Sequence, residues 1–394
     1  MMRSQKGKAT TIGVTCIATY LANYYLRNIL SVLTPQLLDT GMFTVEHIGI
    51  LSSVYMIFYA AGQLINGFLG DILSPKKLVV AGITLAGFSN IIFPFIGSEI
   101  FNILCFATFG FGLSMVRGPL MKIISENTKP DYARTICVFF SFASFAGPLV
   151  ASVFAMINNW KLVFILAGSV AIGFALSTYT ILTILEKKGK IKYKSARGQG
   201  ITSVLSVFKI EKFAFYMIIA CLVEISVASI SFWIPTLLNV ELSFTKTASN
   251  LIFSMISIFR SLMPFVALMI FRATKEKDIA MMRVSFSLAT VCFAGMLLVD
   301  NKWFSILLLL VALMAMSCSS ALLWSVYIPG LGKTGKVSSV NGVMDCTGYI
   351  AAAVSNLSSA GIMEITGWSG VFILWSILSA VGVTATVLVG RVKN

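Results

Sequence analysis

Long apolar runs separated by short polar turns recur from one end of this chain to the other. They fall at about 12–36, 46–70, 78–97, 101–124, 134–157, 161–185, 213–238, 247–271, 282–299, 303–328, 338–362 and 368–390. Each is close to the ~20 residues an α-helix needs to cross ~30 Å of hydrocarbon. Lipid leaves no water for unpaired backbone groups, so a span is a helix or part of a closed barrel, and runs of this length predict twelve helices. The opening "MMRSQKGKATTIGVTCIATYLANYY" has the basic start of a signal peptide. Its apolar run is too long and no small-residue cleavage site ends it, so it predicts a first transmembrane helix that is retained. One polar, glycine-containing interruption, "EKKGKIKYKSARGQG" at 186–200, separates two hydrophobic halves. The expected organisation is therefore an all-α integral membrane protein with one half over 1–185, a basic linker over 186–212 and a second half over 213–394.

Composition agrees with a membrane protein: 57% of residues are hydrophobic and 11% charged, against about a quarter charged in soluble domains. The net charge of +15 looks at first like a nucleic-acid signal, but the charges are sorted by side. With the N-terminus inside, one face collects Arg3, Lys6, Lys8, Lys76, Lys77, Lys122, Lys129, Arg134, the linker cluster, Arg272, Lys275, Lys277, Arg283, Lys333, Lys336, Arg391 and Lys393. The other face holds Lys161, Lys246 and Lys302. That is the positive-inside pattern of a multi-pass protein of the cytoplasmic membrane with both termini cytoplasmic. Topology accounts for the charge, and no nucleic-acid partner is expected. The linker is a solvated cytoplasmic segment or a contact for anionic lipid headgroups. His47 is the one histidine, placed in a polar turn, and the seven cysteines lie in apolar segments without CxxC spacing. Metal centres, histidine triads and a disulfide framework are therefore not expected.

The two halves echo each other. "NWKLVFIL" at 159–166 and "GWSGVFIL" at 367–374 stand 208 residues apart, each entering the last span of a half. "TPQLL" at 34–38 and "IPTLL" at 234–238 stand 200 apart, each ending a first span, and "FT" at 43–44 returns at 244–245. Three matches in one order suggest a duplicated six-helix unit. Paired bundles of this kind are the architecture of many secondary transporters, with a site at the midplane.

The stretch "GFLGDILSPKK" at 67–77 closes the second span with a Gly-x-Leu-x-Asp core followed by basic residues. It resembles the loop between the second and third helices of the major facilitator superfamily, and the Pro75–Lys76 pair is similar to the form in organophosphate:phosphate antiporters (sugar-phosphate permeases). "YYLRNILSVLTP", with Arg27 eight residues before Pro35, resembles the antiporters' first helix. "GPLMK" and "GKVSSVNGVMDCTGY" resemble elements of the fourth and eleventh helices. The resemblance implies the major facilitator fold, twelve transmembrane helices in two pseudo-symmetric six-helix bundles. It also implies a gating role for Gly67, Asp71, Lys76 and Lys77, with Gly67 allowing close helix packing and Asp71 clasping the N-terminal end of helix 11. A helix dipole favours a carboxylate there. Ile72 replaces the usual basic residue, Val227 stands where the antiporters carry a second arginine, and Ser144 replaces a histidine of the fifth helix. The clamp for inorganic phosphate exchange is thus incomplete.

Charges inside spans are costly and mark pathways or partners. Those here are Arg27, Arg117 and Arg260 with Glu224 and Asp345. A guanidinium fork suits a carboxylate or phosphate, so Arg27 is the leading candidate for an anion site, flanked by Tyr24 and Tyr25. It equally suits an ion pair with Glu224 or Asp345. Glu224 can carry a coupling proton or neutralise Arg27. Arg260, which the repeat places opposite Tyr59, completes the site or pairs structurally. Lys122 is expected to snorkel and Arg117 to face the cavity, with Asp345 beside Asn341 serving gate or cavity. The reading is a monomeric secondary transporter for a small organic anion of organophosphate or carboxylate type. It uses no cofactor and no ATP, and counter-substrate antiport or a proton drives it. A proton-coupled exporter of amphipathic compounds and a transporter-like ligand sensor are the other readings of the same charges.

Overall fold

The computed structural model describes residues 2–194 and 206–391. The part of the predicted linker at 195–205, and Lys393, lie outside the described residues. Helix runs through every predicted span, as α1 (Met2–Asp39), α2 (Val45–Ile72), α3 (Pro75–Ile92), α4 (Glu99–Ser114), α5 (Arg117–Asn127), α6 (Pro130–Ala155) and α7 (Trp160–Lys187). The chain continues as α8 (Phe213–Thr236), α9 (Lys246–Ala273), α10 (Asp278–Gly295), α11 (Lys302–Leu322) and α12 (Val337–Arg391). Among the described residues, nine helical stretches are long and apolar enough to cross a membrane.

The polar turns start the helices. Thr44, Asn159, Thr245 and Asn301 each turn a side-chain oxygen onto backbone N–H groups of the following first turn, which satisfies donors that a helix start leaves open. Pro75 and Pro130 stand in the first turn of α3 and α6, where a missing N–H costs nothing.

Two boundaries differ from the apolar pattern. The span expected over 101–124 breaks at Met115–Val116 into α4 and α5. Pro119 favours a break there, having no N–H for the Met115 carbonyl four residues back and a ring that crowds it, whereas Pro35, Pro148 and Pro264 lie inside helices that continue. The last two spans are joined in α12, bent at Gly367 (φ 68°, ψ −162°), a conformation only glycine adopts readily. His47 lies in the first turn of α2 rather than in a loop, buried and 3.6 Å from Glu99.

The chain divides into two compact units, Met1–Val207 with Ile328–Cys346, and Phe208–Tyr327 with Thr347–Asn394. In the first, α1 packs on α6, α2 on α4, and α3 on α7. Small residues at such crossings let helix backbones approach where lipid offers no hydrophobic drive. In the second, α11 packs on α9 and α10, and Trp375 is fully buried with its ring 5.6 Å from that of Phe293.

Candidate substrate site and gate

In the first unit α1 and α2 bring a guanidinium into a ring of tyrosines. Tyr24 lies three residues before Arg27, on the same helix face, with its ring centroid 5.9 Å from the guanidinium carbon. Tyr55 and Tyr59, one turn apart on α2, stand at 5.9 and 5.2 Å. All three are within the ~6 Å at which a ring face attracts a cation. Arg27 and Tyr24 are half-buried. Tyr25 is elsewhere: two residues from Arg27, it turns to the opposite face. There its hydroxyl donates to the Ala167 carbonyl at 2.9 Å and its ring stacks on Phe154. Of the two flanking tyrosines only Tyr24 shares the arginine's surroundings. Sequence reasoning misses Tyr55, although its position one turn before Tyr59 is a signal that could find it.

Arg117 opens α5, immediately after the helix break, and its Nη1 donates to Asp345 Oδ1 at 2.6 Å. The second carboxylate oxygen accepts from Asn341 Nδ2, one turn earlier on α12, at 2.8 Å. The Asp345 side chain is 3% exposed, where a charge is tolerated only when paired and hydrogen-bonded. Arg117 therefore arrives with a counter-charge, and Asp345 and Asn341 act as one polar group.

A second charged cluster forms where α2 ends. Asp71 Oδ2 accepts from the Ser339 amide at 2.7 Å and Oδ1 from the Ser338 amide at 3.3 Å. These are donors of the first turn of α12, so a carboxylate from α2 caps a helix it does not belong to, at the positive end of its dipole. Gly67, one turn back, lies against Gly342: a Cβ there would stand 2.7 Å from the Gly342 Cα. The cap depends on this close approach. Lys122 completes the cluster and corrects the expectation that it snorkels. Its side chain is 1% exposed, and its ammonium donates to Asp71 Oδ1 at 2.8 Å and to the Gly335 carbonyl at 2.9 Å, with Glu126 Oε1 at 3.5 Å. Lys122 lies midway along α5 in a run, Gly118 to Ile124, that is buried throughout, so its ammonium ends inside protein. Glu126 Oε2 in turn accepts from the Lys194 amide at 2.9 Å, and the Lys194 ammonium donates to the Lys333 carbonyl at 3.0 Å. The linker's first residues are thus tied into the same cluster.

The two lysines that follow Asp71 are not part of it. Lys76 is buried and donates to Glu186 and Thr183 of α7, with the Tyr179 ring 5.0 Å away. Lys77 is exposed. In the second unit Glu224 accepts from the Trp324 indole N–H at 3.2 Å, and Arg260 donates to the Ser231 hydroxyl. Among the described residues no three His, Cys, Asp or Glu side chains gather as metal ligands.

Comparison with known proteins places this architecture. The sequence model of the Major Facilitator Superfamily matches residues 16–355. The chain is similar to a probable sulfoacetate transporter, SauU, of Cupriavidus necator, 25% identical over 182 residues that make up 45% of this chain and 42% of that one. It is 27% identical to a phosphoglycerate transporter protein of Salmonella typhimurium over 208 residues, 49% of this chain and 41% of that one. A membrane sensor protein of the same organism, UhpC, is 24% identical over 164 residues, 41% of this chain and 37% of that one. The matched regions span about two-fifths of the length of these curated relatives. Solved structures match over nearly the whole chain. The Escherichia coli fucose:proton symporter FucP superposes with TM-score 0.74 at 12% identity over 96% of this chain and 97% of that one. The human organic anion transporter MFSD10 superposes with TM-score 0.68 at 14% identity over 97% and 99%. At such identities the likeness concerns the fold.

Proposed function

This chain belongs to the Major Facilitator Superfamily, and on that premise we propose that it is a secondary active transporter for a small organic anion in the cytoplasmic membrane. The observation that carries the proposal is Arg27, half-buried, with three tyrosine rings 5.2–5.9 Å from its guanidinium. Ring faces attract a guanidinium, and the N–H donors along the edge of its plane suit a planar or tetrahedral anion. A carboxylate, sulfonate or phosphate ester takes two parallel hydrogen bonds from such an edge. Arg117 adds little net attraction because Asp345 already balances it. Arg27 therefore has the leading role, and Asn341 and Asp345 tune the site through Arg117.

Relatives named for sulfoacetate and phosphoglycerate support an anionic substrate; both compounds are small carbon skeletons ending in strongly acidic groups. Transport proceeds by alternating access, with a counter-substrate or a proton as the driving partner, in a monomer whose termini face the cytoplasm. The test is a thermal-shift screen of the purified chain against sulfonates, carboxylates, phosphate esters, neutral sugars and cationic drugs. Stabilisation by small dianions, and not by the neutral or cationic compounds, is the expected result. Stabilisation by cationic amphipathic compounds alone would overturn the anion reading in favour of an exporter.

A further inference from the structure

The linker does not simply leave the first unit; its first residues are fastened across it. α7 ends at Lys187, and Gly189 follows in the left-handed region at φ 65°. The Gly189 amide donates to the Glu186 carbonyl at 2.8 Å and the Lys190 amide to that of Leu185 at 2.9 Å. These are the paired bonds of a Schellman stop, which turns the chain off its helix axis. From there burial alternates: Ile191 is buried, Lys192 exposed, Tyr193 half-buried and Lys194 exposed, the period of an extended segment. The Lys192 and Lys194 amides donate to Asn127 Oδ1 at 2.8 Å and to Glu126 Oε2 at 2.9 Å. Asn127 is aimed by its own helix, because its Nδ2 donates to the Ile123 carbonyl at 3.0 Å. The last residues of α5 thus receive a strap through their side chains.

The strap reaches the turn at 331–336 that leads into α12. The Lys194 ammonium donates to the Lys333 carbonyl at 3.0 Å, and a Cβ on Gly335 would stand 3.5 Å from the Lys194 Cβ. The same turn lies on α5: Lys122 donates to the Gly335 carbonyl, and a Cβ on Gly332 would run into the Ser125 carbonyl oxygen. Beyond 195–205, the Lys336 ammonium donates to the Ser206 hydroxyl. Described linker residues on both sides of that stretch therefore hold one turn. Glu126 joins the strap to the charge cluster, with one carboxylate oxygen on the Lys194 amide and the other 3.5 Å from Lys122. All of these residues belong to the first unit.

We propose that the strap at 190–194 is a latch on the start of α12. It stays on α5 through Glu126 and Asn127, and the 331–336 turn must leave Lys194 and Ser206 before α12 can move off Asp71. Glu126 and Asn127 are positioning residues that act through the strap. The linker is then part of the gate and sets how often this end opens. The proposal rests on alternating access and not on which substrate is carried.

The experiment is hydrogen–deuterium exchange of the purified full chain, read by mass spectrometry on peptides covering 331–340. Lys194→Ala removes the side chain that holds the Lys333 carbonyl and keeps the backbone bond to Glu126. Exchange across 331–340 is expected to rise about threefold or more, the population change that follows loss of one hydrogen bond. Exchange in α3 and α7 should stay at the parent's rate, which separates release of the latch from a general loss of stability. Asn127→Ala, which frees the middle of the strap, should act in the same way. Lys192→Ala is the control. It removes the same charge two residues away, but the bond to Asn127 comes from the Lys192 amide and survives, so exchange should not change. Lys194→Cys with Gly335→Cys, in a chain whose native cysteines are replaced, tests the contact from the other direction, because 3.5 Å between Cβ atoms suits a disulfide. Oxidation should slow exchange below that of the parent, and reduction should restore it. Equal acceleration by Lys192→Ala, parent-like exchange in both Lys194→Ala and Asn127→Ala, or a cross-linked turn that exchanges as fast as the reduced one would each overturn the latch and leave the transporter reading standing.

Discussion

An arginine in a membrane span persists only where something offsets its desolvation, roughly 2.5–3.5 kcal/mol on insertion scales. At Arg27 three tyrosine rings supply part of that offset, and a bound anion would add to it. Charge alone does not meet this requirement, because an ammonium lacks the planar fork. Arg27→Lys is therefore expected to keep the fold and to lose about 1.5–3 kcal/mol of substrate binding, tenfold or more in Kd, read by titration of the purified variant. Unchanged affinity would remove Arg27 from the site. Tyr59→Phe, which keeps the ring, should bind nearly as well as the parent, whereas Tyr59→Ala should not. Tyr25 provides the contrast. Its hydroxyl serves the Ala167 carbonyl, so Tyr25→Phe should cost about 1 kcal/mol of stability and leave Kd unmoved. A weakened Kd in that variant would return Tyr25 to the substrate. The division between the two tyrosines is legible in their spacing. Residues three apart share a helix face and residues two apart do not, so Tyr24 and Tyr25 cannot both flank Arg27.

At the scale of elements the polar cluster joins three pieces of chain. The end of α2, the whole of α5 and the first turn of α12 meet through Asp71, Lys122 and the Ser338 and Ser339 amides. Asp71→Asn keeps an acceptor for the helix amides but leaves Lys122 buried with a weaker counter-charge, and breaking a buried pair costs about 3–5 kcal/mol. The cluster lies apart from the tyrosine ring, so turnover is expected to fall while Kd stays near that of the parent. Initial uptake rate and equilibrium binding on the same vesicles check this, and an unchanged rate would dissociate the cluster from gating. Glu126→Gln should act on the same lysine, and its effect combined with Asp71→Asn should be non-additive, because both carboxylates lie against Lys122. The helices themselves are legible in the sequence because bilayer thickness imposes their length. The break before α5 is not, because Pro119 removes a backbone bond to Met115 just as Pro35, Pro148 and Pro264 remove theirs within helices that continue. The pairing of Arg117 with Asp345, 228 residues away, is not, because neither spacing nor composition records which buried charges meet. Lys122 misleads for a related reason. Its charge near a span end looks like a side chain reaching for lipid, and only the packing of α5 reveals that it points into protein.

For the molecule as a whole, the sorting of its basic residues is the feature with the widest consequence. Lys77 and Lys277 stand at turns on one side of the predicted topology, Lys161 and Lys302 at turns on the other, and all four are exposed. Moving loops rich in lysine and arginine across the membrane is disfavoured, so the side that carries most of them is expected to be the cytoplasmic one. The prediction is that single cysteines at Lys161 and Lys302 react with a membrane-impermeant maleimide on intact cells, whereas cysteines at Lys77 and Lys277 react only after permeabilisation. The seven native cysteines are free and either buried or half-buried, and replacing them by Ala or Ser first gives a silent background with small volume changes. The opposite labelling pattern, with Lys77 and Lys277 reactive in intact cells, would invert the topology. It would place Asp71 and Lys122 at an outer gate, and the charge asymmetry would then need an origin other than insertion.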